Sequence, residues 1–128
     1  MTKKAKSITY KETGVDIHAG NEFVKKLPSI VNSTFDQNVI NGIGDFAALY
    51  SLENEELKNP LLVSACDGVG TKIKLAIDTK NYSGIGQDLV AMNINDLICT
   101  GAKPLFFLDY LSMSKLNIVE HSKVIESI

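Results

Sequence analysis

Two kinds of apolar pattern alternate along the chain: stretches in which apolar residues recur every three or four positions, and short runs in which nearly every residue is apolar. Between Asp16 and Val31, the residues Ile17, Phe23, Val24, Leu27, Ile30 and Val31 fall at helical spacing, with Asp16 placed as N-cap. Pro28 lies inside this pattern and predicts a kink or an early stop. Ile85 to Thr100 carries the clearest helical pattern, closed by Gly101 where a C-cap glycine is favoured. Asn117 opens a last helix in which Ile118, Val119, Val124, Ile125 and Ile128 recur up to the final residue. The second kind of run occurs at Leu61 to Cys66 and Pro104 to Leu111, each reading as a strand buried on both faces. Phe46 to Leu52 reads as a further strand, after a break at 41–45, and Ile73 to Ile77 fits either a helical turn or a strand. Tyr10 to Asp16 is turn-like about Gly14, Met1 to Ile8 reads as a disordered or edge segment, and Glu53 to Asn59 is a charged loop closed by Pro60. These elements predict an α+β fold with a small, mostly antiparallel or mixed sheet of about four strands and two or three helices.

Composition narrows the function classes more than the fold. The chain has 128 residues, 45% hydrophobic and 22% charged, enough for one domain with a real core. A net charge of −2 supplies no long-range field for nucleic acid or an anionic membrane, and the basic residues are scattered apart from Lys3, Lys4 and Lys6. No run approaches the roughly 18 apolar residues of a membrane span, and the polar start lacks the apolar core of a signal peptide. Cys66 and Cys99 form no CxxC pair, so both thiols are expected reduced in a cytoplasmic protein. His18 and His121 stand far apart without companion ligands, which argues against zinc.

Chemistry concentrates in two places. Asp67-Gly68-Val69-Gly70-Thr71-Lys72 follows an apolar run and offers glycines for close backbone approach to phosphate, a hydroxyl from Thr71 and a cation from Lys72. Phosphate would repel Asp67 unless a divalent cation lay between them, which points to Mg²⁺. The plainer alternative is a strand-to-turn exit, with glycines for positive φ and Asp67 as turn former. The order differs from a Walker A loop, and Gly42 to Ala47 fits the loose dinucleotide fingerprint only without its preceding strand. The second place is the helix from Ile85, where Asp88, Asn95 and Asp96 make a narrow polar stripe on an otherwise apolar surface. Such a stripe suits a metal–phosphate group if buried. Alternatively Asp88 serves the helix dipole and Asp96 faces solvent. Lone Asp109 on an apolar run reads as a structural partner at an interface, and Cys66 as a small buried thiol rather than a nucleophile.

These segments resemble the phosphoribosylformylglycinamidine cyclo-ligase (aminoimidazole ribonucleotide synthetase) family. The resemblance is carried by Tyr10-Lys11, Gly14-Val15-Asp16-Ile17, Gly20-Asn21, Asp67 to Lys72, Gly84 to Met92, Asn95-Asp96-Leu97 and Pro104 to Tyr110, in the family's order. It implies an enzyme that uses ATP to activate the formyl oxygen of formylglycinamidine ribonucleotide, so that an amidine nitrogen displaces phosphate and closes the imidazole ring. It further implies Asp67 and Asp96 as Mg²⁺–nucleotide carboxylates and Gly68, Val69, Gly70, Thr71, Lys72 and Asn95 as ATP and phosphate contacts, with Asp88 a lesser candidate. Lys11 and Asp16 fall in an N-terminal motif placed over the active site. Asp45 matches only half of an acidic pair found in superfamily relatives, its partner position being Phe46. By the same resemblance, residues 1–128 are an N-terminal ATP-binding and dimerisation domain, inactive alone and lacking the C-terminal domain, and two copies form a homodimer whose sheets close a β-barrel, with the strand from Leu105 to Tyr110 at the contact. Two other readings remain at this point: the related formylglycinamide ribonucleotide amidotransferase or another ATP-using superfamily member, and a dimerisation module without catalysis.

Overall fold

Among the described residues four α-helices carry the architecture. A computed structural model describes residues 8–44, 46–53 and 59–128; the expectations for the lysine-bearing start, for the charged loop at 54–58 and for Asp45 lie outside those residues. Helix α1 spans Ile17–Val31, α2 Lys72–Thr79, α3 Ile85–Cys99 and α4 Ile118–Ser127. Helix α4 packs against α1 on one side and α3 on the other, and α2 leans on α3.

The caps follow the sequence closely. The Asp16 carboxylate accepts from the Ala19 N–H at 3.1 Å and opens α1. Asn117 does the same for α4, its side-chain oxygen accepting from the N–H groups of Val119 and Glu120. At the end of α3, Gly101 adopts φ +76°. Its N–H donates to the Ile98 carbonyl at 2.9 Å while the Ala102 N–H donates to Leu97 at 3.3 Å, the paired bonds of a Schellman ending. Pro28 neither stops α1 early nor removes its last turn; the helix runs on to Val31 and passes into a 3-10 turn at Asn32–Thr34. The segment at 73–77, open between helix and strand, is helical.

Close approach is set by two glycines. At Gly14, φ is +96° and an added Cβ would stand 2.5 Å from the Ser114 carbonyl oxygen, so the N-terminal turn lies directly on the chain before α4. At Gly86, an added Cβ would meet the backbone of Ile128 and lie 2.5 Å from the Ser127 carbonyl carbon and Oγ. That spacing lets α3 and the end of α4 touch backbone to backbone, and the Gly86 N–H donates to Ser127 Oγ at 2.9 Å. The buried apolar residues Phe23, Val124 and Ile125 lie on α1 and α4, and Ala76 lies on α2.

The expected sheet is absent among the described residues, and with it the four strands and the barrel. The only pairing there is an isolated antiparallel bridge between Val39 and Tyr50. It is supported by the Ile40 N–H donating to Leu49 and the Ser51 N–H to Asn38. Phe46 to Leu52 contributes no more than this bridge. The runs at 61–70 and 102–113 are irregular, with no ladder partner. Far from being buried on both faces, Leu61 is 91% exposed and Tyr110 94%. The physical reason is that an apolar run records a need for cover, whereas a strand requires a second backbone at hydrogen-bonding distance. Within these residues the two runs are not paired with each other. One aromatic contact ties the second run down: the rings of Tyr50 and Phe106 sit 5.3 Å apart, tilted by 45°. Among the described residues the fold is therefore helical rather than α+β, with four α-helices instead of two or three.

Candidate functional site

The segment from Asp67 to Lys72 leads directly into α2, whose first residue is Lys72. The helix starts through the Ile73 N–H donating to Gly70 and the Lys74 N–H to Thr71. Among the described residues, the N–H groups of Val69, Gly70, Thr71 and Lys72 have no protein acceptor. Four successive free amides at a helix start are donors of the kind that an oxyanion can take up. Neither Gly68 nor Gly70 has a positive φ, and an added Cβ at either would meet nothing within 4 Å. The plainer explanation of these glycines, a turn needing left-handed backbone, is thereby removed. What their hydrogens leave open is outward space.

Helix α3 braces this segment at both ends. At the far end, the Lys72 ammonium pairs with the Asp88 carboxylate at 2.6 Å, in the first turn of α3, where the helix dipole also favours a negative charge. Both side chains are substantially exposed, so the pair directs Lys72 more than it stabilises the fold. At the near end, the Asp67 N–H donates to the side-chain oxygen of Asn93 at 2.9 Å and the Asp67 carbonyl accepts from Asn93 Nδ2 at 3.2 Å. Asp67 is exposed, and its Oδ1 accepts from the Gly68 N–H at 2.7 Å.

The other sequence-predicted residues divide. Asp96 stands one turn beyond Asn93 on α3, which puts their Cβ atoms about 5–6 Å apart. Asn95 and Asp96 are both exposed, so the polar stripe faces solvent rather than a buried phosphate. Lys11 and Asp16 form their own ion pair at 3.4 Å, in the turn lying on Ser114, and among the described residues share no hydrogen bond or ion pair with the glycine segment. The Asp16 carboxyl is held below its ordinary value, chiefly by the Ala19 N–H and further by Lys11. Cys66, expected as a buried thiol, is exposed, and so is Asp109.

A shallow open groove of about 260 Å³ runs beside the Lys72–Asp88 pair, between α2 and the start of α3, lined by Leu75, Thr79, Ser83 and Gly84 among others. A larger concavity of about 580 Å³ lies at the start of α4, lined by Ala19 and residues 115–120. It holds none of the predicted site residues, and the chemistry sits by the smaller one. Among the described residues no three His, Cys, Asp or Glu side chains cluster as a metal cage, and no helix is long and apolar enough to cross a membrane.

Sequence reasoning missed Asn93. It is 6% exposed on α3, with Leu89, Val90 and Leu97 as apolar neighbours at helical spacing. A polar residue in the middle of an apolar stripe must find partners, and that was the available signal.

Residues 38–128 match the family model described as AIR synthase related protein, N-terminal domain. The chain is also 52% identical, over 97% of its length, to a phosphoribosylformylglycinamidine cyclo-ligase of Desulfatibacillum aliphaticivorans, covering 36% of that protein. Against a protein of the same description from Trichlorobacter lovleyi, identity is 51% over 94% of this chain and 34% of the relative. The chain thus spans about a third of the length of the curated relatives it matches. The glycine segment, the helix that braces it and the family match all fall within one stretch, and the chain belongs to the AIR synthase related family, whose N-terminal domain it carries.

Proposed function

We propose that residues 1–128 form the nucleotide-binding N-terminal domain of a cytoplasmic cyclo-ligase. The reaction is the ATP-dependent closure of formylglycinamidine ribonucleotide to aminoimidazole ribonucleotide in de novo purine synthesis. The observation that carries this reading is the row of free amides from Val69 to Lys72 at the start of α2, with a lysine at its end and a carboxylate at its beginning. Both relatives are named as cyclo-ligases, which supports ring closure over amide transfer.

In this reading the amides of Val69, Gly70, Thr71 and Lys72 bind phosphate oxygens, and the Lys72 ammonium neutralises part of their charge while Asp88 sets its direction. Asp67 and Asp96 are hard oxygen donors of the kind Mg²⁺ takes in ones and twos, the rest of its shell coming from water and phosphate, so the donor set fits a Mg²⁺–nucleotide. When bound, Mg²⁺ supplies charge neutralisation at the phosphates. Asn95 lies beside Asp96 as a further polar contact. The exposed apolar side chains of Phe106, Leu108 and Tyr110 support self-association into a homodimer.

The deciding experiment uses a polypeptide of the relatives' length carrying these 128 residues, incubated with formylglycinamidine ribonucleotide and Mg-ATP. Formation of aminoimidazole ribonucleotide with one ADP and one phosphate per ring is the expected result. ATP-independent product, or no ring closure by a folded protein, refutes the reading.

A further inference from the structure

We propose that Asn93 is a positioning residue for the nucleotide segment, acting through the peptide backbone of Asp67. The proposal rests on the phosphate-binding reading of residues 67–72 and adds to it a residue that touches no ligand.

One carboxamide holds both sides of a single residue. The Asn93 side-chain oxygen accepts from the Asp67 N–H at 2.9 Å, and its Nδ2 donates to the Asp67 carbonyl at 3.2 Å and to the Leu89 carbonyl at 2.9 Å. The orientation of the amide is unique: turned over, its oxygen would face two carbonyl oxygens and its NH₂ an N–H. Asn93 is 6% exposed, so these bonds do not compete freely with water. Holding the N–H and C=O that flank one Cα limits rotation about both of its backbone torsions. The direction in which the Asp67 carboxylate leaves the chain is set by those torsions, and so is the direction in which Gly68 leads into the row of free amides at Val69 to Lys72. Among the described residues no strand pairs with residues 61–70, and the edge of Asp67 is held by this side chain instead.

The alternatives at position 93 fail for separate reasons. Alanine or leucine leaves the Asp67 peptide unheld. Aspartate has the right shape but sets a carboxylate oxygen against two carbonyl oxygens. Each change should therefore act on nucleotide handling, beyond any loss of overall stability.

The test compares wild type with Asn93→Ala and Asn93→Asp in the relatives'-length polypeptide, at a temperature where circular dichroism shows each variant folded. The expected result is a rise in KM for Mg-ATP of about tenfold or more, with KM for the ribonucleotide within about twofold of wild type, because only the phosphate segment has lost its brace. In parallel, amide hydrogen exchange on the 128-residue chain should quicken about tenfold at Asp67 and Gly68, and stay unchanged within α4. If Asn93→Ala does not fold, the isosteric Asn93→Asp decides by the same readouts. Unchanged Mg-ATP dependence in a folded variant, or unchanged exchange at Asp67, overturns the proposal. If the wild type itself shows no use of Mg-ATP, the nucleotide reading falls, while the exchange measurement still judges whether Asn93 holds Asp67.

Discussion

Adding one methyl group at Gly86 tests the tightest contact in the fold. A Cβ there would stand 2.5 Å from both the carbonyl carbon and Oγ of Ser127, and would press on the Ile128 backbone. Two of these three atoms are backbone, so α4 must shift as a body. Overpacking of this kind costs about 1–3 kcal/mol. The shift also strains the bond from the Gly86 N–H to Ser127 Oγ, which satisfies an amide in the first turn of α3 and contributes about 1 kcal/mol. Against this, alanine is better than glycine inside a helix by about 0.5–1 kcal/mol. The balance for Gly86→Ala is a loss of about 1–3 kcal/mol. At roughly 5 °C per kcal/mol for a domain of this size, the melting temperature falls by about 5–15 °C. Gly20→Ala is the internal control: Gly20 lies in α1 with nothing within 4 Å of an added Cβ, so the helix-propensity gain stands alone and the melting temperature rises by about 3–5 °C. Urea unfolding followed by far-ultraviolet circular dichroism should show the same signs in the midpoint at unchanged slope. If Gly86→Ala stabilises the chain as much as Gly20→Ala, the close approach of α3 and α4 is wrong.

Three further outcomes follow from the site and the caps. In the relatives'-length polypeptide, Asp67→Asn and Asp96→Asn should each raise the Mg-ATP requirement at least tenfold, whereas Asp109→Asn should leave it within about threefold; equal effects in steady-state kinetics would show that the α3 stripe is misread. Asp88→Asn, which frees the Lys72 ammonium, should raise KM for Mg-ATP by a few-fold while Lys72→Met raises it far more, and the reverse order would count against Lys72 as the phosphate-facing cation. A carbon-detected carboxyl titration should place Asp16 below the ordinary value of 3.8. Because its folded-state value is depressed, its contribution to stability is present above the unfolded-state value and disappears as pH falls through the folded one; Asp16→Asn should flatten that acid limb of the melting-temperature profile.

The helices were legible because the signals that define them are local. Asp16, Asn117 and Gly101 each occupy the position their chemistry favours, and the structure uses all three as caps. The six residues from Asp67 to Lys72 are a local signal as well, but among the described residues only the amides of Val69 to Lys72 are left without an acceptor, those of Asp67 and Gly68 being taken by Asn93 and Asp67. The strands were not, since Leu61 to Cys66 and Pro104 to Leu111 say only that their side chains favour burial; pairing depends on what backbone lies alongside, and among the described residues none does. Cys66 followed the same error, its burial having been inferred from that of the run it ends. Asn93 and the Lys72–Asp88 pair escaped notice for a different reason. Contacts across 26 and 16 positions depend on how α3 lies against the loop, and the helical period gives that face without naming its partner.

The claim on which the rest depends is that the amides from Val69 to Lys72 receive phosphate oxygens. Its most direct test is a ¹⁵N–¹H correlation spectrum of the isotope-labelled chain titrated with Mg-ATP to millimolar concentration. The predicted result is progressive shifts at Val69, Gly70, Thr71 and Lys72, weaker without Mg²⁺ and absent with adenosine. Shifts confined to residues 115–120 around the larger concavity, with residues 69–72 unmoved, would contradict it.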